Sequence, residues 1–203
     1  MQVNLNDDLL LDKGVDGLTA CDHAARNRNK VILQKLCNWG RELQVNLKDD
    51  LLLAKGGDGL NAWYRAAEEE ILEKVWGWGK EVQVNLKDEL LEYKEYYGVT
   101  AWERAVVDGN KEILEKLWGW GREVQVNLKD DLLLAKGVNG LTAWDRAEEE
   151  EILEKLWGWG RELQVNLKDD LLLAKGEDGL NAWYRAAEEE ILEKVWGWGK
   201  KCK

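Results

Sequence analysis

The chain has 203 residues, 45% hydrophobic and 34% charged, with a formal net charge of -11 and no proline. That length holds one or two globular cores, and the acidic balance argues against nucleic acid and anionic membrane, which both require a basic face. No stretch reaches the ~18 uninterrupted apolar residues of a membrane span. The start "MQVNLNDDLLLDK" lacks the basic and apolar regions of a signal peptide, so a cytoplasmic chain with Cys21, Cys37 and Cys202 as free thiols is expected.

The tetrapeptide "QVNL" begins at Gln2, Gln44, Gln83, Gln125 and Gln164, at intervals of 42, 39, 42 and 39 residues. Such a period marks stacked supersecondary units. It divides a single array, 1–203, into units 2–43, 44–82, 83–124, 125–163 and 164–203. Residues 44–80 and 164–200 differ only at Gly57 against Glu177, which points to recent duplication or to a designed, consensus-derived chain.

Each unit predicts the same elements in order. "NLKDDLLLAKG" offers an Asn N-cap (Asn46, Asn85, Asn127, Asn166) with an Asp at the third helical position, then a Lys-Gly stop. "DGLNAWYRAA" turns at Asp58-Gly59 and enters a short helix capped by Asn61, or by Thr19, Thr100, Thr142 and Asn181, with Trp63 and Ala67 inward. "EILEKLWGWGREV" is a longer helix whose Ile113, Leu117, Trp120 and Val124 fall at helical spacing. Its paired tryptophans, such as Trp76 and Trp78, point to nearly opposite sides, so this helix is expected between two neighbours. Gly77 and Gly79 each cost about 1 kcal/mol in helix propensity, offset by close approach of an adjacent helix.

The units then differ in ways that carry predictions. In unit one, Cys21 and Cys37 stand at the positions of Trp63 and Trp76 and fill a smaller space, a disulfide between them being the lesser alternative. His23, the only histidine, reads as a structural helix-start residue. Units two, four and five read "AAEEEIL" or "AEEEEIL", three residues shorter than "AVVDGNKEIL" in unit three. A reversal there would force a non-glycine residue into the left-handed region, at roughly 1–2 kcal/mol. One continuous helix is therefore expected over 62–82, over 143–163 and over 182–200. Fused helices leave their halves without partners, which favours domain swapping and a homo-oligomer.

Unit three replaces "LLLAKGxDG" with "LLEYKEYYG". Tyrosine gives large contact area at little entropic cost, so Tyr93, Glu95, Tyr96, Tyr97 and Glu103 form the candidate partner-binding set. The alternative is that the tyrosines fill a junction between two halves of the array. Chemistry finds little material: the chain has no serine, and "WGWG" follows no strand and precedes no Lys-Ser/Thr. The "KDD" and "EEEE" clusters lack the spacing of a calcium loop and read as solvated helix faces. No enzyme activity, catalytic residue, metal ligand or cofactor is assigned.

The motifs "DGLTAW-x-RA", "GNKEILEKL" and "VNLKD" resemble the "DG-x-TPLH-x-AA", "GH-x-EVVKLL" and "VNAKD" of the ankyrin repeat family. The resemblance covers all five units, each longer than the family's usual ~33 residues. Ala20, Ala62, Ala101, Ala143 and Ala182 replace the family proline, while Asp22, Tyr64, Glu103, Asp145 and Tyr184 stand where it has histidine. The resemblance implies an all-α, ankyrin-like α-solenoid of five helical repeats acting as a non-catalytic scaffold for protein–protein interaction or self-assembly. The alternatives are a binding module for one basic protein, or a tryptophan ladder for sugar-like ligands.

Overall fold

The computed structural model describes residues 7–66, 69–91, 94, 98–137, 140–186 and 189–201. Among the described residues all regular structure is helical, in two compact units, Met1–Tyr96 and Tyr97–Lys203. The first contains Asp7–Leu11, Ala20–Arg26 and Lys30–Glu42 of repeat one, then Leu47–Leu52, Ala62–Arg65 and Glu69–Glu81 of repeat two, and Lys87–Leu91. The second contains Ala101–Val107 and Lys111–Glu123 of repeat three, and Leu128–Leu133, Ala143–Arg146 and Glu150–Glu162 of repeat four. Leu167–Leu172, Ala182–Arg185 and Glu189–Lys201 of repeat five complete it.

The short helices start where the caps place them. Thr19, Thr100 and Thr142 accept from the amides of Asp22, Glu103 and Asp145, whose carboxylates return to the cap amide and close a capping box. Asn61 accepts from Tyr64 in the same way. Each "DG" turn passes through a left-handed glycine, such as Gly59 at φ 80° and Gly179 at φ 76°.

The "NLKDDLL" segments keep their Asn caps, with Asn46 accepting from Asp49 and Asn127 from Asp130, but wind as π-type turns. Leu53 and Leu134 donate five residues back, to Lys48 and Lys129. This wider winding sets adjacent side chains at a smaller angle than the roughly 100° of an α-helix. Leu51 with Leu52, and Leu132 with Leu133, are thereby all buried.

The long helices end in a Schellman motif with an unusual residue at its left-handed position. Gln44, Gln83, Gln125 and Gln164 have φ between 55° and 58°. The following amide completes the motif, as Val45 donates to Gly40 at 2.9 Å and Val126 to Gly121 at 2.8 Å. The glutamine of "QVNL" is thus the helix stop.

The continuous helices expected over 62–82, 143–163 and 182–200 are not formed. Trp63 and Trp76 lie 5.9 Å apart, Trp144 and Trp157 5.9 Å, and Trp183 and Trp196 5.8 Å. Thirteen residues of unbroken α-helix would separate such rings by about 20 Å. The chain doubles back in all three units. The missing three residues come out of the short helix, which spans seven residues in repeats one and three but four in repeats two, four and five.

In repeat four, whose turn is described throughout, no left-handed residue is needed for this reversal. Repeats one and three turn through Arg28 at φ 58° and Gly109 at φ 63°, whereas repeat four turns through extended Ala147 (φ -72°, ψ 119°) and Glu149 (φ -89°, ψ 133°). A three-residue deletion removes almost one helical turn, so the tryptophan still faces the same neighbours. Magnitude decides the outcome. A fused helix would save at most the ~1–2 kcal/mol of a strained turn, whereas one buried indole hides about 150–250 Å², worth roughly 4–6 kcal/mol. With the helices paired inside each repeat, the structural argument for domain swapping falls away.

Candidate functional site

The tryptophans form one repeated arrangement. The first indole of a long helix rests on the short-helix indole of its own repeat, Trp118 on Trp102 at 5.8 Å. Within the second unit, the second indole reaches back to the preceding repeat. Trp159 stacks on Trp118 with centroids 4.4 Å apart and 12° between planes, and Trp198 stacks on Trp157 at 5.0 Å and 13°. The two sides of the helix therefore serve two different repeats, as the pairing in sequence implies. In repeat one the thiols of Cys21 and Cys37 replace the first two rings, and Trp78 with Val82 closes over them. Burial pushes the Cys21 thiol up to about 12 and raises that of Cys37 as well.

The two glycines of "WGWG" do different things. A Cβ at Gly121 would meet Leu128 at 2.8 Å and Leu132 at 3.2 Å, and one at Gly160 would meet Leu167 and Leu171 at the same distances. Gly77, Gly119, Gly158 and Gly197 have nothing within 4 Å. Only the second glycine seats the next repeat. The close approach expected at both positions holds for one.

Polar links also join repeats. The Arg65 guanidinium is 3% exposed; its Nε donates to Asp22 Oδ1 of repeat one at 3.1 Å, and its Nη1 donates to Asp58 Oδ2 at 2.9 Å. Asp58 is held below the usual carboxylate range by its hydrogen bonds from Arg65. In repeat four the counterpart Arg146 lies 3.9 Å from Glu103 of repeat three. On the outer surface, Arg41 chelates Glu81, Lys111 meets Glu151 at 2.7 Å, and Lys155 meets Glu115 at 2.5 Å.

Of the candidate partner-binding set, Tyr93, Glu95, Tyr96 and Tyr97 lie outside the described residues. Glu103 is described, 5% exposed and committed to the Thr100 capping box. A carboxylate needed at a helix start is legible in the pattern Thr-x-x-Glu, and that is the role the fold gives it. His23 does have an acidic neighbour, Asp16, with Nε2 3.3 Å from Oδ2, and Arg26 Nη2 lies 3.2 Å from its Nδ1. The hydrogen bond donated by the Leu18 amide keeps Asp16 below its ordinary value. The pair ties the "DG" turn to the short helix. Among the described residues no group of three or more His, Cys, Asp or Glu is arranged to hold a metal ion.

Sequence reasoning missed the outer faces of the terminal repeats. Trp39 is 49% exposed, beside an apolar groove of about 420 Å³ that includes Leu9, Leu36 and Leu43. Trp183 and Trp196 of repeat five are 41% and 56% exposed, whereas Trp63, Trp102 and Trp144 are fully buried. The signal that finds these faces is the neighbour each ring requires. An indole that stacks on a neighbouring repeat is uncovered where no described repeat lies against it.

No family model and no curated protein matches the chain. No described helix is long and apolar enough to cross a membrane.

Proposed function

We propose that the chain is a non-catalytic, ankyrin-like repeat scaffold that works by protein–protein interaction or self-assembly. The observation that carries this reading is the exposure of large indoles at repeats one and five, at positions that repeats within each unit cover. An apolar groove beside a half-exposed indole, as at repeat one, is the kind of surface that marks an interaction site. The same reading keeps the tyrosine-bearing segment 93–97 as a partner surface, with the net charge of -11 favouring a basic protein over an acidic one. A tryptophan ladder along the array has less support, because the interior rings are buried against one another.

The test is absolute mass by light scattering across concentration, paired with a titration of a polycationic protein followed by indole emission. The reading expects growth of mass, a binding isotherm, or both. A chain that remains monomeric and whose emission ignores the titrant would sink it.

A further inference from the structure

One contact recurs where consecutive long helices meet within a unit. The second indole of the later helix lies over the first indole of the earlier one, as Trp159 does on Trp118 and Trp198 on Trp157. The second glycine of the earlier helix receives two leucines from the segment that opens the later repeat. Gly40 takes Leu47 and Leu51, Gly121 takes Leu128 and Leu132, and Gly160 takes Leu167 and Leu171. An ion pair runs each way along the rim, Arg41 to Glu81 and Lys155 to Glu115.

The 203-residue chain also carries both halves of this contact unmated. Repeat one presents Trp39 and Leu9, the counterparts of Trp159 and Leu171, 49% and 56% exposed beside the apolar groove. Repeat five presents Trp196, the counterpart of Trp118 and Trp157, and Gly199, near which a Cβ would find only Leu172 at 3.9 Å. The charges correspond as well. Lys200 stands where Arg41 reaches Glu81, and the repeat-one counterpart of Glu81 is Glu42, which lines the groove. Glu193 stands where Glu115 meets Lys155, and the repeat-one counterpart of Lys155 is Lys35. All four of these side chains are exposed.

We propose that the occupant of the repeat-one groove is a second copy of this chain, docked head to tail by its fifth repeat. Trp39 of one copy lies over Trp196 of the next, Leu9 seats on Gly199, Glu42 pairs with Lys200, and Lys35 pairs with Glu193. This names the partner within the scaffold reading and rests on it. The two surfaces differ, so the interface is heterologous and each docked copy leaves one face of each kind free.

Two single variants and their mixture test it by sedimentation velocity. The parent chain should grow in mass with concentration. Trp39→Glu and Trp196→Glu, each checked for an unchanged melting profile, should stay at the mass of one chain. Mixed, they should form a species of one pair, because each retains the face the other has lost. If either tryptophan variant fails to fold, Leu9→Glu and Lys200→Glu at the exposed rim take their places, with the same expectation. A parent that stays monomeric up to millimolar concentration overturns the proposal together with the self-assembly reading. Association that survives both substitutions, or a mixture that yields no pair, overturns the proposal alone and leaves self-assembly through another surface standing.

Discussion

Gly119 and Gly121 sit two residues apart in one helix and carry opposite constraints. Gly119 has open space where a Cβ would go, so Gly119→Ala should raise stability by about 0.5–1 kcal/mol through helix propensity alone. Gly121 has Leu128 at 2.8 Å from that point, so Gly121→Val should lower stability by about 1–3 kcal/mol through overpacking. Paired urea melts check both. Cys21 has a similarly local consequence. Its thiol, raised from 9.0 to about 12, stays protonated in the folded chain while the unfolded one ionises. Its contribution is complete below pH 9.0 and is lost as pH climbs toward 12. At neutral pH a thiolate-directed reagent should label Cys21 only as fast as the chain opens, and adding denaturant should release the reaction.

Individual elements are shaped by what their ends can bond. Asn29 and Asn110 cap the long helices of repeats one and three by accepting from Ile32 and Ile113. Glu149 occupies that place in repeat four, extended and with no side-chain cap bond. Glu149→Asn should stabilise the chain by about 1 kcal/mol, read as an upward shift of the melting midpoint. Residue order does not reveal how the shortened units turn. It offers two outcomes, a left-handed turn or a fused helix. The fold uses a third, in which the short helix gives up one turn and extended residues reverse the chain. Nothing in "AEEEEIL" announces that, because the force behind it is the pairing of Trp144 with Trp157, a contact across the reversal.

Each compact unit is held by contacts between successive repeats, in the nearest-neighbour manner of repeat proteins. Arg65 is the buried polar link of the first unit, joining Asp22 of repeat one to Asp58 of repeat two. Arg65→Ala leaves Asp22 buried beside a lost partner and should cost about 3–5 kcal/mol. Arg104, paired with Asp108 on the surface, should cost no more than about 1 kcal/mol on the same change. Amide exchange should show the Arg65→Ala loss in repeats one and two, with protection in repeats four and five retained. Loss spread evenly over both compact units would contradict nearest-neighbour coupling.

The period was legible because the repeated text is nearly unchanged, and cap chemistry and the inward tryptophans were legible because each depends on neighbours a few positions away. Thr19, Asn61, Thr100 and Thr142 start helices for reasons contained in the next three residues. The left-handed glutamines, the unequal roles of the two glycines, the buried position of Glu103 and the bare indoles at repeats one and five were not legible. The glutamines and glycines are decided by how the chain turns between one helix and the leucines after it, Glu103 and the indoles by whether a residue about forty positions distant lies against them, and a linear pattern records composition without recording who covers whom. Tertiary packing alone turns a repeated "WGWG" into a stacked interior at some copies and an open face at others.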